Sequence, residues 1–594
     1  MKKKSRLNKW IRRMLFTAIV LMLILYFGFI LPFRGFPFNT QRHGNPPVTP
    51  PWALECWLWE DDHNTSDYVD SLLAGYARND IPVRTILLDS PWSTRYNDFE
   101  VDTVLYPNPA EWFGNLQASG YRVVLWMTTM VDSYSKDTRL AESGDWSKVA
   151  AEKGYLAGGD DQVSWWKGRG GFIDYTNTKA MKWWRGMQKQ VFDYGIDGWK
   201  LDGTATLFKT QLGPIPLLYK KTESGIMMTR TYMDHYYRDE YSHGLKMNPE
   251  FVTLGRAIDR WYHPEGFAPI DAAPVTWVGD QKHTWESAGE VSMDDKQKSD
   301  IAMKGIDGIE TAINNILSSA RLGYNIIGSD VAGFSGRDIP PRLYIRWAQF
   351  STFCGLFLNG GHGERALWKR TPQEMEIIRR FSWLHTELVP YMYTYVLEGS
   401  KGGRVLQKPM KRNYQYMFGD EFLVTPLYRD DLKREIIFPK GRWRYFFDDK
   451  QVVEGPSKLV KEFPLEEFPV YIRDGAIIPL DVKRDYTRLG DKNSEGYLTL
   501  LIYPNGINSF TVHHPDKSGS TVIKVTDDPD KILISLEEVH KPHILRINMG
   551  SKPKSVELDG TILSESVDYT FDNTNNKLII KTEKYSTGNY RIYK

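Results

Sequence analysis

Asp202 closes the segment Gly195-Ile-Asp-Gly-Trp-Lys-Leu-Asp202-Gly203, a short apolar strand that delivers a carboxylate and then breaks at glycine. Side chains alternate across a strand, so Lys200 and Asp202 share a face, and a fixed cation there favours the ionised carboxylate. An ionised, immobilised carboxylate suits covalent attack on a sugar carbon. The same two residues equally fit an ion pair filling a barrel interior. Other acids recur at the ends of apolar runs: Asp89 after Ile86-Leu-Leu, Asp280 after Thr276-Trp-Val-Gly, and Asp330 after Ile326-Ile-Gly-Ser. Arg256 ends a fifth run, and His362 follows the apolar segment ending near Leu358. One strand-end aspartate is most simply a helix cap. Four of them, joined by an arginine and a histidine, form a pattern that capping does not explain.

The elements that must position these residues are legible as strands alternating with amphipathic helices from Pro51 to about Tyr395. Strands are expected at 83–89, 122–126, 197–202, 251–256 and 324–330. A helix is expected over 178–194, with Asn177 as cap, Ala180, Trp184, Met187 and Val191 on one stripe, and Gly195 as the stop. The fold class expected is therefore α/β, a (β/α)8 TIM barrel over residues 51–400, with an open doubly wound sheet, usually shorter, as the alternative; in a barrel the chemistry collects at the C-terminal ends of the strands. After about Lys401, short alternating strands separated by Gly, Pro and Asp-rich turns predict two all-β sandwiches, 401–488 and 489–594, divided near a charged stretch at 483–496.

The chain has 594 residues and a net charge of +2, with 25% charged residues, so no global basic field points to nucleic acid. Two cysteines, Cys56 and Cys354, are too few for a disulfide framework or a cysteine zinc site. HExxH, GxxxxGK[ST] and EF-hand patterns are absent from the sequence, and no metal or cofactor is expected. Residues 1–13 are basic without an acid, and 14–31 run apolar apart from Thr17 and Gly28. As a helix that run spans roughly 27 Å, about one hydrocarbon core. An uncleaved signal anchor is expected, with a cytoplasmic tail at 1–13, a Pro-rich tether at 32–50 and the rest extracytoplasmic. A cleaved signal peptide is the alternative.

Several motifs, in order, resemble glycoside hydrolase family 31, the retaining α-glycosidases. In the barrel they are Pro51-Trp-Ala-Leu54, Ile81-Pro-Val-Arg-Thr-Ile-Leu-Leu-Asp89, Tyr121 to Trp126, Gly171-Phe-Ile-Asp-Tyr-Thr-Asn177 with Trp183-Trp184, Gly328-Ser-Asp-Val-Ala-Gly-Phe334, and Arg346-Trp-Ala-Gln349. In the β region they are Gly419-Asp-Glu-Phe-Leu-Val-Thr-Pro426 and Pro469-Val-Tyr-Ile-Arg-Asp-Gly-Ala-Ile-Ile-Pro479. The resemblance implies Asp202 as nucleophile and Asp280, in Gly-Asp-Gln before Thr284-Trp-Glu286, as general acid/base. It implies that Asp89, Trp126, Lys200, Arg256, Asp330 and His362 line the subsite for the transferred sugar. The implied activity is exo-acting hydrolysis of terminal α-linked sugars, α-glucosidase-like first. An α-xylosidase, α-galactosidase or transglycosylase is the alternative within the family, and a membrane-tethered, non-catalytic carbohydrate-binding protein is the alternative outside it. An oligosaccharide or glycoside is the expected partner, together with the membrane; nothing in the sequence indicates an oligomeric state.

The chain also departs from the family's pattern. The usual β-sandwich before the barrel is not expected here, because the anchor and tether occupy the residues before Trp52. Gly203-Thr-Ala-Thr206 stands where many members have an aromatic residue and a glutamate. Segments 132–166 and 206–230, Trp261-Tyr262-His263 and 287–299 have no counterpart in the pattern; the pocket is expected either to be more open or to be completed by one of the first two or by a partner chain.

Overall fold

The computed structural model describes residues 2–34, 44–204, 207–213, 215–258, 268–285, 308–336, 338–411, 413–539, 541–582 and 588–594. Eight parallel strands form one sheet: β1 (Cys56–Leu58), β2 (Thr85–Leu88), β3 (Arg122–Met127), β4 (Gly198–Leu201), β5 (Val252–Arg256), β6 (Val275–Trp277), β7 (Ile327–Gly328) and β8 (Phe357–Asn359). Their order is β7-β6-β5-β4-β3-β2-β1-β8. Sequential order brings the last strand beside the first. The ring is nearly closed between β7 and β8 by a parallel bridge of Asp330 to Leu358, with the Val331 N–H donating to the Leu358 carbonyl at 2.8 Å. The α/β barrel is thus present, with strands shorter than the apolar runs suggest. The run 324–330 yields only Ile327–Gly328 as strand, and Asp89, Asp202 and Asp330 all fall just past their strands, where loop backbone begins.

The chain divides into two compact units, Met1–Gly44 with Leu88–Ser119 and Val123–Ala273, and Asn45–Leu87 with Gly120–Arg122 and Pro274–Lys594. In the first, the register of β3, β4 and β5 pairs Trp126 with Lys200 and Lys200 with Leu254. Asp197 sets this register just before β4, its N–H donating to the Val123 carbonyl at 2.7 Å and its carboxylate accepting from the Val123 N–H at 2.9 Å. A Cβ on Gly198 would meet the Val252 carbonyl oxygen at 2.7 Å, so β4 and β5 approach only because that position is glycine. The helix Thr178–Asp193 begins at Asn177, whose side chain accepts from the N–H groups of Lys179 and Ala180, and ends before Gly195 at φ 81°. Its buried stripe runs through Gln188, with Met187 only half-buried, because Gln188 donates to the buried Glu240 carboxylate at 2.9 Å. Glu240 also accepts from Tyr175, Trp184 and Arg185. Four donors make a buried carboxylate acceptable in this helix layer.

In the second unit, the helix Pro341–Thr352 carries the fully buried Arg346, which donates to the carbonyls of Phe463, Pro464 and Glu467 and to the Gln349 side chain; Gln349 in turn donates to the Leu465 carbonyl at 2.5 Å. The Arg-Trp-Ala-Gln motif therefore grips the loop that closes the first C-terminal sheet. That six-stranded sheet is built around the long hairpin Lys433–Tyr445 and Asp448–Glu462, over a core that includes Leu423, Phe438, Trp443 and Tyr471. The run 470–479 breaks at Asp474-Gly475 into two strands, Val470–Arg473 in this sheet and Ile477–Leu480 in a following five-stranded sheet. A further six-stranded sheet follows, so the C-terminal region is all-β. Near the N-terminus, a helix over Asn8–Ile30 has mean hydropathy 2.2 and is long and apolar enough to cross a membrane.

Gly198→Ala is expected to destabilise the protein by about 1–3 kcal/mol, because the added methyl must push apart two backbones in the closed sheet. Thermal unfolding of the variant beside wild type measures it.

Candidate active site

Asp202 leaves β4 with its N–H bonded to the Met127 carbonyl at 3.1 Å, while the Tyr236 hydroxyl donates to the Asp202 carbonyl at 3.1 Å and to that of Met127 at 3.0 Å. The backbone beneath the carboxylate is thus pinned on both sides. One carboxylate oxygen accepts from the Gly203 N–H at 2.9 Å and from Arg256 at 3.3 Å; the other accepts from the Trp126 indole N–H at 3.2 Å. Burial pushes the Asp202 pKa up, but Arg256, then Lys200, then the Gly203 and Trp126 donors outweigh it, and the net shift is below the ordinary carboxylate value. An ionised Asp202 is therefore the ground state. Lys200, the cation expected to favour the Asp202 charge, does so while also lying 2.6 Å from Asp89, both of these side chains being buried, and Arg256 makes the larger contribution from 3.3 Å.

Beyond Asp202, Gly203 and Thr204 take successive positive φ angles of 76° and 73°, and Thr204 is buried within 3.4 Å of the Thr129 hydroxyl. The segment 132–166 forms much of a small antiparallel sheet, Met130–Ser135, Leu156–Ala157, Val163–Trp165 and Gly168–Ile173. From it Trp165 lies nearly parallel to Trp126, at 7° with ring centres 6.3 Å apart. The Trp165 N–H donates to both oxygens of the fully buried Asp132, at 3.0 and 3.2 Å, and Ser135 donates at 3.2 Å. Burial pushes Asp132 up to about 8, against those donors. Asp132 and Trp165 were not singled out by sequence; the signal available was an acid inside an alternating apolar segment.

The remaining expected residues lie in the second unit. Asp280 follows β6 and is half-buried. Its loop is tied to the loop after β7: the Phe334 N–H donates to the Gln281 carbonyl at 2.7 Å, the His283 N–H to Ser335 at 2.9 Å, and Lys282 bridges Ser335. A Cβ on Gly333 would meet the Lys282 carbonyl at 2.7 Å, and its φ is 88°, so this close crossing requires glycine. Arg365, fully buried, donates to the carbonyls of Val331, Gly333 and His362. Asp330 is buried at the start of the same loop. His362 stands between two acids from the end of β1, Nε2 at 3.0 Å from Asp61 and Nδ1 at 2.6 Å from Asp62. Burial raises the Asp62 pKa, but the His362 and Gly363 hydrogen bonds and the nearby imidazole outweigh it and leave it lowered. Asp61, Asp62 and Arg365 were missed by sequence reasoning, although Glu60-Asp61-Asp62 directly follows an apolar run.

Within 206–230, two hairpins are formed, Thr210–Leu212 with Ile215–Leu217 and Tyr219–Thr222 with Gly225–Met228. Glu286, Trp261-Tyr262-His263 and 287–299 lie outside the described residues. Among the described residues no group of three or more His, Cys, Asp or Glu is placed to hold a metal ion.

A parallel barrel with carboxylates just beyond its strand ends is the architecture of many barrel enzymes. The sequence matches the Glycosyl hydrolases family 31 TIM-barrel domain over residues 46–292 and 299–395, and the Glycosyl hydrolase family 31 C-terminal domain over 401–478. The chain belongs to glycosyl hydrolase family 31. It is 25% identical over 475 residues to an alpha-xylosidase of Emericella nidulans, covering 75% of this chain and 55% of that protein. It is 22% identical over 583 residues to an isomaltosyltransferase of Sporosarcina globispora, covering 88% and 50%. The chain thus spans about half the length of these curated relatives. Among solved structures, the Flavobacterium johnsoniae GH31 dextranase has the same fold, with a TM-score of 0.78 at 21% identity over 93% of this chain and 72% of that one.

Two outcomes follow from the electrostatics. Arg256→Met should raise the Asp202 pKa, because the largest opposing charge is gone; carbon-13 NMR titration of labelled aspartate reads the direction, and an unmoved titration would contradict it. Asp132 has a folded pKa above its unfolded one, so its ionisation erodes stability as pH rises from about 4 to about 8. Asp132→Asn should remove that decline from a plot of thermal midpoint against pH while keeping an acceptor for Trp165.

Proposed function

We propose that the chain is a retaining, exo-acting α-glycosidase in which Asp202 is the nucleophile and Asp280 the general acid/base. The observation that carries this reading is Asp202 itself, kept ionised by Arg256 and Lys200 and aimed by the Gly203 and Trp126 donors at the end of β4. A retaining mechanism requires a second carboxyl about 5–5.5 Å from the first. Asp280, the strand-end acid of β6, is the residue assigned that place. In this reading the second carboxyl donates its proton to the leaving oxygen as Asp202 attacks the anomeric carbon. The product is a glycosyl ester of Asp202. Asp280, left as the carboxylate once its proton has gone to the leaving oxygen, takes a proton from water as the water oxygen attacks the anomeric carbon and the ester bond to Asp202 breaks, releasing the sugar with its configuration retained.

Asp89, Lys200, Arg256, Asp330 and His362 are assigned to sugar hydroxyls and Trp126 to the ring face. An α-glucoside is the favoured substrate. The alternatives are an α-xyloside, an α-galactoside, or transfer to another sugar, and the names of the relatives, alpha-xylosidase and isomaltosyltransferase, support keeping xylosides and transfer in the test. The apolar helix Asn8–Ile30 is assigned as a membrane anchor with the barrel outside the cytoplasm; residues 51–400, 401–488 and 489–594 are assigned as the barrel and two β modules.

A panel of aryl α-glycosides, followed by proton NMR, tests the reading. The first sugar released should be the α-anomer, and an initial β-anomer would overturn retention. A fluoro-sugar inactivator should label wild type and leave Asp202→Ala unlabelled; labelling of the variant would place the nucleophile elsewhere.

A further inference from the structure

In the C-terminal region, the end of the long hairpin, residues 446–450, and residues of the five-stranded sheet line a cavity of about 320 Å³. That volume lies at the lower end of small-molecule sites, roughly 300–1,000 Å³. Five basic side chains reach its wall, Arg380, Lys450, Arg488, Arg546 and Lys577, against two acids, Asp448 and Asp449. The acids are already engaged: Asp449 is paired with Lys577 and accepts from the Tyr503 hydroxyl at 3.0 Å, and Asp448 accepts from Gln451 at 2.9 Å. The balance of the wall is positive.

Arg546 is the unexpected member. It sits on the central strand His543–Asn548, paired in register with Leu501 on one side and Ile579 on the other. A half-buried position between two aliphatic neighbours ordinarily carries an apolar side chain, and a guanidinium withdrawn from water there requires an opposite charge. Among the described residues, Arg546 makes no side-chain hydrogen bond or ion pair, and neither does Arg488 across the cavity. Burial pushes Arg546 below its ordinary pKa, with Tyr503, Asp572 and Asp449 opposing. Burial likewise lowers Lys577; Asp449 opposes it, and Arg546 and Arg444 add to the lowering. The cations therefore repel one another in a recess whose protein walls concentrate the field. An oxyanion satisfies all of these conditions, since a planar guanidinium binds carboxylate or phosphate through paired N–H donors.

We propose that this cavity is a binding site for a small oxyanion-bearing ligand, a carboxylated sugar or a phosphate, with Arg546 as its principal anchor and Arg488 as its second. None of its wall residues is assigned to the catalytic machinery, so the site stands or falls independently of the proposed activity.

The test uses the full chain in neutral detergent at constant ionic strength, with sodium phosphate, sodium glucuronate, glucose and sodium chloride as separate additions. Phosphate or glucuronate should raise the thermal midpoint saturably while chloride should not, and any rise with glucose, which the proposed active site would itself take, should be the same in Arg488→Ala as in wild type. Calorimetric affinity should fall about ten- to hundredfold in Arg546→Met, the loss expected for a charge-assisted contact. Arg488→Ala, at an exposed loop position, should weaken binding in the same direction and serves as the deciding variant should Arg546→Met not fold. A response to glucuronate alone assigns the site to carboxylated sugars, and a response to phosphate alone to phosphate groups. A midpoint unmoved by either anion beyond the chloride control would overturn the proposal, as would wild-type affinity in Arg488→Ala and in any folded Arg546→Met.

Discussion

A carboxylate removed from water remains ionised only where cations and aimed N–H groups replace its hydration. Asp202 is that case, and the architecture around it follows from the requirement. Arg256 reaches it because β5 lies beside β4 in the register that Asp197 sets, and the strands approach because residue 198 is glycine. Trp126 reaches it from β3, one level down the same face. Tyr236 fixes the carbonyl from which the side chain springs. Any slip among these strands would leave a buried charge with fewer donors.

The acid after β6 presents a different problem, since it is carried by a loop and half-exposed. Loop backbone must find partners for its own N–H and C=O groups before it can hold a side chain in place. The loops after β6 and β7 meet this need mutually, and Arg365 gathers three further carbonyls in the same neighbourhood. Arg346 does the same for the loop that ends the first β sheet. Both buried arginines face carbonyl dipoles, which lets a cation brace irregular backbone in a protein whose two cysteines are buried and free.

Trp165 and Asp132 show how the insertion after β3 bears on the same carboxylate. The insertion's small sheet carries an indole against Trp126, and Trp126 donates to Asp202. The buried acid beneath Trp165 is raised to about 8, so near neutrality its protonated form fits the apolar surroundings and still accepts the indole N–H. Support for a charged group is thus built partly from a neutral one.

Much of this was legible in the chain. Apolar runs ended by aspartates announced the barrel, Asn177 and Gly195 announced a helix with its cap and stop, and the ordered motifs announced the family, because each depends on neighbours a few residues away. Pairing across space was not legible. Lys200 was the evident cation for Asp202 by strand alternation and does favour its charge, but its ammonium also lies 2.6 Å from Asp89, and the larger influence on Asp202 comes from Arg256, fifty-four residues on. Asp61 and Asp62 beside His362 are three hundred residues distant from it, and Gln188 replaces Met187 in its stripe because of Glu240. The sequence by itself determined which elements form and which carboxylates stand at their ends, since periodicity and turn chemistry are local. The tertiary structure alone decided which cation meets which acid, because charge pairing depends on distances that strand register and loop packing set.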